Sequence, residues 1–240
     1  MEDNEEVLRE HGAANSYNWV SDFVYGGIDG AVTTFAVVAG VEGASLSIPI
    51  ILILGFANLF ADGFSMSVGK YSSDKAQIEQ FKKIKAIEYE HIEWKRDHEI
   101  GEVREIMAGY GFKGKDLDKA VEVITAHPDA WVDLMMRNEF NMTLENVSPM
   151  KGAVSTFLSF IVIGFVPLLS YVFNGFWQFE KEILFTMTAA FTLMALFFVG
   201  AVKARFTMRY WLWSGLETAA IGGIAAFIAY IVGYLLRGLA

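Results

Sequence analysis

The sequence predicts an all-α integral membrane protein with five transmembrane helices and an all-helical insert between the second helix and the third. Hydrophobic residues make up 54% of the chain, against ~45–50% in a typical soluble domain. The excess lies in continuous apolar blocks, each near the ~20 residues that a helix needs to cross a bilayer core. The blocks do not alternate between polar and apolar residues, which argues against membrane strands.

The apolar blocks define the predicted spans and the boundaries between them. They are Trp19–Val41, Ile48–Val68, Val154–Phe173, Ile183–Val202 and Tyr210–Leu236. We therefore predict a polar arm at residues 1–18, transmembrane helices 1 and 2 at 19–72, a helical domain in water at 73–149, and transmembrane helices 3 to 5 at 150–240.

Breaking residues are few after the second span, so this helix is expected to continue to about residue 96. Gly109, Gly111 and the His127-Pro128 pair then delimit shorter helices. The predicted ranges are 100–108, 117–126 and 130–146. Pro167 predicts a kink in the third span.

Basic residues predict the topology, because they favour the cytosolic side of a membrane. They cluster after span two, before span three and between spans four and five. The N-terminus and residues 73–149 are thus expected in the cytosol, with the C-terminus opposite. The chain has no cysteine, which excludes disulfides, thiolate zinc sites and iron–sulfur clusters. Its net charge of −9 gives no reason to expect a nucleic-acid partner.

Two carboxylates lie within the predicted spans, Asp29 in the first and Asp62 in the second. An acid at bilayer depth costs roughly 2.5–3.5 kcal/mol, so it normally faces a partner or a cation. Asn58, Asp62 and Met66 recur every four residues and so share one helix face. Oxygen donors with a thioether suit a transition-metal ion such as Fe²⁺ or Mn²⁺. A purely structural polar pair is the alternative.

Other membrane residues allow more than one interpretation. Glu217 in span five could carry protons or pair with Lys203 or Arg205. Asp22 is expected to be solvated at the membrane edge. The glycines of Gly26-x-x-x-Gly30 allow close helix approach. They fit packing within one chain as well as a homodimer seam along span one.

Acidic ladders and a methionine mark the insert as a possible cation-binding region. Acidic residues recur at three-residue steps in two groups, Glu90 with Glu93 and Glu99 with Glu102 and Glu105. Met135 precedes Glu139 by four residues, which is about one helical turn. A divalent cation would relieve their repulsion, and a solvated helix face is the alternative. Glu88-x-x-His91 has the spacing of di-iron bundles, which need two such motifs. We find one and interpret it as coincidence.

Two runs give the chain a family resemblance. GGIDGAVTTFAVVAG in span one and ANLFADGFSMSVGKY in span two resemble the vacuolar iron transporter family. This resemblance implies a five-span homodimer, joined through transmembrane helix 1, that carries Fe²⁺ and often Mn²⁺ out of the cytosol in exchange for protons. Such a protein is a transporter in iron homeostasis and not an enzyme. It would lie in the plasma membrane of a prokaryote or the vacuolar membrane of a eukaryote.

The resemblance also implies site residues. Asp29 matches the family's pore carboxylate, which would also couple protons, and Met66 matches its pore methionine. The insert's metal ligands match best to Glu102, Glu105, Met135 and Glu139, with Glu90, Glu93 and Glu99 beside them. Asn58 departs from the glutamate of some members, with Asp62 one turn later as its substitute. Lys70 stands where a neutral or acidic residue is common.

Two other functions fit the same residues. A membrane-anchored iron-binding or iron-oxidising protein of the ferritin type would use the insert for chemistry. A scaffold would use the polar spans only to hold a dimer. Detection of iron oxidation without transport would favour the iron-binding or iron-oxidising protein. Failure to bind any divalent ion would favour the scaffold.

Overall fold

Residues 19–143, 147–207 and 209–239 are described by a computed structural model, and they form helices joined by turns. The predicted arm at 1–18 lies outside these residues. The described residues contain no strand, which confirms the all-α class. The helices are α1 (Trp19–Gly43), α2 (Ile48–Trp94), α3 (Arg96–Gly109), α4 (Gly114–Thr125), α5 (Pro128–Asn138), α6 (Pro149–Gly164), α7 (Leu169–Trp177), α8 (Lys181–Phe206) and α9 (Trp211–Leu236).

The chain divides into two compact units. Residues 73–147 belong to the first, which we call the insert, and residues 16–72 and 148–240 to the second, which we call the membrane unit. Helix α2 contributes residues to both.

Among the described residues, five helical segments are long and apolar enough to cross a membrane. They are Trp19–Gly43, Ile48–Trp94, Pro149–Phe176, Lys181–Phe206 and Trp211–Leu236, which agree in number and order with the five predicted spans. The second helix ends at Trp94, close to the predicted residue 96. With 47 residues, it is about 70 Å long at 1.5 Å per residue, against about 30 Å for the hydrocarbon core. Only its apolar beginning, residues 48–68, fits inside the bilayer.

Helix α1 lies at the centre of the membrane unit, packed against α6, α8 and α9. Its glycines allow this close approach. A Cβ atom on Gly30 would lie 2.5 Å from the carbonyl oxygen of Phe160, and one on Gly26 would overlap Ser159 and Thr156 of α6. These two glycines therefore pack within one chain, and the homodimer stays a prediction that does not rest on them.

The third span is interrupted where its proline predicted a kink. A short 3₁₀ turn at Val166–Leu168 contains Pro167 and separates α6 from α7. The proline has no N–H to continue the α-helical hydrogen bonds. The amide of Leu168 instead donates to the carbonyl of Phe165 at 3.0 Å.

The insert packs α3, α4, α5 and the end of α2 around one apolar core. Its buried residues include Trp131, Val132, Met135 and Met136. Three helices begin earlier than predicted, at Arg96, Gly114 and Pro128. The predicted end of α5 at residue 146 is wrong. The helix ends at Asn138 because Asn141 adopts a left-handed conformation (φ 55°), and the amide of Met142 turns back to the carbonyl of Met136 at 2.8 Å.

Candidate metal-binding sites in the two units

Two carboxylates of the membrane unit come together, and we call them the Asp pair. Asp29 of α1 and Asp62 of α2 are both half-buried. Their negative charges lie close enough to repel each other. The hydroxyl of Thr33 donates to the backbone carbonyl of Asp29 at 2.7 Å. This hydrogen bond is therefore not made to the carboxylate of Asp29. Such a pair attracts positive charge.

The predicted stripe on α2 continues from the Asp pair in both directions. Asn58, Asp62 and Met66 are all half-buried, as residues on one helix face should be. The amide nitrogen of Asn58 is buried with no hydrogen-bond partner among the described residues. Met66 packs at the edge of the apolar core of this unit. Carboxylate, amide and thioether groups thus follow one side of the helix.

Asp22 is not solvated, contrary to the sequence-based expectation. It is buried, and the Nζ atom of Lys70 lies 3.3 Å from its Oδ1. Lys70 therefore has a carboxylate neighbour on α1, which accounts for a cation at the end of the α2 stripe. Asp22 and Lys70 connect α1 to α2 two turns beyond the Asp pair.

Glu217 has a basic partner that sequence reasoning did not identify. Its Oε2 lies 2.9 Å from Nη1 of Arg209, and both side chains are exposed. The expected partners were Lys203 and Arg205. Arg209 is nearer because it lies just before the first turn of α9, two turns from Glu217. The ion pair gives Glu217 an exposed basic partner, and its structural and proton-carrying roles both stay predictions.

The insert contains a second group of ionisable side chains, which we call the Glu–His cluster. Two of its acids are almost completely buried: Glu88 is 1% exposed and Glu99 is 3% exposed. Nδ1 of His91 lies 3.8 Å from Glu88 and 3.7 Å from Glu99. Nε2 of His98 lies 3.4 Å from Glu102. The members of the cluster are Glu88, His91, His98, Glu99, Glu102 and Glu139.

Burial and mutual repulsion make these acids harder to ionise than free glutamates. Burial, with repulsion from Glu99 and Glu139, raises the pKa of Glu88 to about 7. Burial also raises the pKa of Glu102, together with a hydrogen bond to Glu99. The pKa of Glu139 is raised by burial and by Glu99, and both imidazoles oppose this rise. A cation that binds the cluster would therefore compete with protons for these carboxylates.

Contacts across the other faces of the helices hold the cluster in place. On α2, the hydroxyl of Tyr89 donates to Asp129 at 2.6 Å, and Lys85 donates to Asp133 at 2.6 Å. Both acids belong to α5. Arg104 of α3 donates to Asp118 of α4 at 2.7 Å. These contacts connect α2 to α5, and α3 to α4, beside the buried acids.

The cluster differs from the ladder that the sequence suggested. Glu90, Glu93 and Glu105 are exposed, and none of them contributes to the electrostatic interactions of the cluster. Each three-residue step turns a helix by about 300°, so the third rung of a ladder lies about 120° from the first. Glu105 therefore leaves the face that Glu99 and Glu102 share.

Sequence reasoning missed Glu88 and His91 as members of the cluster. Their signal was the Glu88-x-x-His91 spacing, which we interpreted as coincidence. Met135 is fully buried in the apolar core, one turn before Glu139. Within residues 19–143, 147–207 and 209–239, no group of three or more His, Asp or Glu side chains is arranged so that it could hold a metal ion. Binding of an ion would require these side chains to rearrange.

The raised pKa of Glu88 predicts a pH-dependent stability. A carboxyl whose folded pKa exceeds its unfolded value favours the folded state when protonated. Its stabilisation is complete below pH 4.5 and is lost as the pH rises through about 7. The full chain in detergent should unfold at a lower temperature at pH 8 than at pH 6. Glu88→Gln should reduce this difference, whereas Glu90→Gln, on the exposed face, should preserve it. An unchanged difference in Glu88→Gln would contradict the assignment.

Comparison with known proteins identifies the family. Residues 20–234 match the VIT family. The chain is 35% identical to "Vacuolar iron transporter 1" of Oryza sativa subsp. japonica over 214 residues, which cover 88% of this chain and 82% of that protein. It is 33% identical to "Vacuolar iron transporter 1" of Arabidopsis thaliana, covering 91% and 86%. It is 32% identical to "Vacuolar iron transporter" of Plasmodium berghei (strain Anka), covering 89% and 81%. With this match over most of its length and relatives above 30% identity, the chain belongs to the VIT family of membrane transporters.

Proposed function

We propose that this protein carries Fe²⁺, and also Mn²⁺, across a membrane and out of the cytosol in exchange for protons. The relatives described above are named as iron transporters. The observation that carries the proposal is the Asp pair, since two unneutralised carboxylates on neighbouring membrane helices are expensive unless a cation visits them. Met66 on the same stripe adds a soft donor that suits transition metals.

Proton exchange follows from the same energetics. A protonated carboxyl is cheaper in a low-dielectric environment than a charged one. The Asp pair can therefore take up protons when a metal ion leaves and release them when the next ion arrives. In this proposal Asp29 is the principal proton-coupling residue and Glu217 a secondary one.

The insert supplies the capture step of this proposal. Its buried acids hold negative charge that a dication would neutralise, and Glu139 adds a further carboxylate. Met135 is the candidate soft ligand beside them. Glu90, Glu93 and Glu105, on exposed faces, would act by raising the local concentration of cations. The insert and the N-terminus are proposed to be cytosolic, in a plasma or vacuolar membrane according to the organism.

We further propose that the transporter is a homodimer through α1. The glycine face of α1 is covered by α6, so the contact would use a neighbouring face. There, Tyr25 is 59% exposed, and Asp29 and Thr33 are half-buried. A two-fold axis along this face would bring two Asp29 carboxylates together and double the ligands for one ion.

The test is transport by the purified full chain in liposomes. Liposomes that contain a pH-sensitive dye receive Fe²⁺ without oxygen, and metal uptake and internal pH are recorded together. We expect metal to enter as protons leave, with Mn²⁺ competing. Uptake no faster than in empty liposomes would overturn the proposal. Metal uptake without a pH change would overturn only the exchange mechanism. Oxidation of Fe²⁺ with no uptake would favour the membrane-anchored iron-oxidising alternative.

A further inference from the structure

We propose that His91 is a metal ligand of the Glu–His cluster, and that its nitrogen makes the cluster prefer Fe²⁺, Co²⁺, Ni²⁺ or Zn²⁺ over Mn²⁺, Mg²⁺ and Ca²⁺. This inference rests on the proposed function, because it concerns the selectivity of the capture step. Imidazole suits the first group of ions, whereas sites made only of oxygen suit the second. One side chain would thus decide which ions the insert retains.

The position of His91 between two buried acids is the first observation. Its Nδ1 atom lies 3.8 Å from Oε2 of Glu88 and 3.7 Å from Oε1 of Glu99. Two donor atoms that each lie about 2.1 Å from one tetrahedral ion are about 3.4 Å apart. Each of the two distances from His91 therefore needs to shorten by only a few tenths of an ångström for its atoms to share an ion.

Unpartnered oxygens supply the second observation. Oε1 of Glu88 and Oε2 of Glu99 are buried and have no hydrogen-bond partner in the described part of the chain. Buried acceptors without a partner are rare in folded proteins because they lose their hydration without replacement. An ion bound through both oxygens of each carboxylate would supply that partner. Both oxygens belong to the carboxylates that His91 approaches.

A structural ion pair explains these distances less well. A protonated histidine that neutralised either acid would donate a hydrogen bond, with its nitrogen about 2.7–2.9 Å from the oxygen. Both distances from His91 are longer than that. His98 provides a contrast, because its side chain is 73% exposed and the carboxylate within 3.4 Å of it belongs to Glu102 and not to a buried acid. His98 is therefore the natural control for His91.

X-ray absorption on the full chain in detergent tests this inference, with Zn²⁺ as the probe. Every sample carries Asp29→Asn to weaken the Asp pair, and affinity tags are removed. We expect imidazole scattering around zinc in this background and in its His98→Gln variant. His91→Glu should lose that scattering yet keep binding Zn²⁺ through oxygen. Its preference for Zn²⁺ over Mn²⁺, measured by calorimetric competition, should fall about tenfold.

Three results would overturn the inference. Imidazole scattering that is absent from the background, or that persists in His91→Glu, would show that His91 is not a ligand. If His91→Glu fails to fold, the spectrum of the Asp29→Asn protein alone tests whether a histidine binds the zinc ion. An unchanged Zn²⁺ affinity in Glu88→Gln/Glu99→Gln would mean that the cluster does not bind metal, which would also remove the capture step. Transport by the Asp pair would be unaffected, so the two failures are distinguishable.

Discussion

Asp29→Asn should lower Fe²⁺ uptake into liposomes by roughly 100-fold, the upper range for disrupted metal sites. The substitution keeps the shape of the side chain and removes its charge, so Asp62 alone faces an arriving ion. The chain should still fold, because the repulsion between the two acids disappears. Uptake is measured without oxygen, and size-exclusion chromatography confirms assembly.

Glu182→Gln is the matched control for Asp29. Glu182 is an exposed acid in the first turn of a membrane helix, α8, and its loss should leave uptake at the level of the unchanged protein. If Asp29→Asn transports as fast as this control, the Asp pair has no role in transport. If both variants are equally slow, the effect is one of general charge and not of a site.

Glu88→Gln/Glu99→Gln should weaken Co²⁺ binding to the insert by roughly 100-fold. These two acids are the most buried of the cluster, so their charges are the least screened by water and the strongest attraction for a cation. Removal of their repulsion should also raise the unfolding temperature of the metal-free protein at pH 8. Calorimetric titration of the full chain with Co²⁺ measures the affinity.

The comparison that decides this prediction is Glu90→Gln/Glu93→Gln. This double variant removes two negative charges from the insert, as Glu88→Gln/Glu99→Gln does, but it removes them from exposed helix faces. We expect it to change the Co²⁺ affinity by less than threefold, as befits screened surface charges. The reverse result, with the exposed pair more damaging than the buried pair, would favour the ladder that the sequence suggested over the cluster.

The spans and the long second helix could be predicted because they depend on local properties. Apolar length identifies a transmembrane helix, and the scarcity of breaking residues after residue 68 predicted the continuation of α2 to Trp94. The end of α5 could not be predicted in this way. It depends on the left-handed turn at Asn141, and asparagine is compatible with a helix as well as with such a turn.

The membrane acids were easier to identify than the acids of the insert. Asp29 and Asp62 stand out because few charges occur in apolar surroundings, whereas Glu88 is one acid among many. Its distinction is burial against α3, which comes from tertiary packing and has no local signal. The same holds for Arg209 and Glu217, whose pairing depends on where α9 begins.

The Asp pair takes its carboxylates from α1 and α2 alone. Within one chain, a dication that rests against these two groups would be contacted from one side, and water molecules would complete its shell wherever the second chain of the proposed dimer does not. The cargo would then cross this point partly hydrated. Exchange of a few waters costs less than complete dehydration, which Mg²⁺ in particular resists. Rapid release on the far side is the consequence of such incomplete coordination.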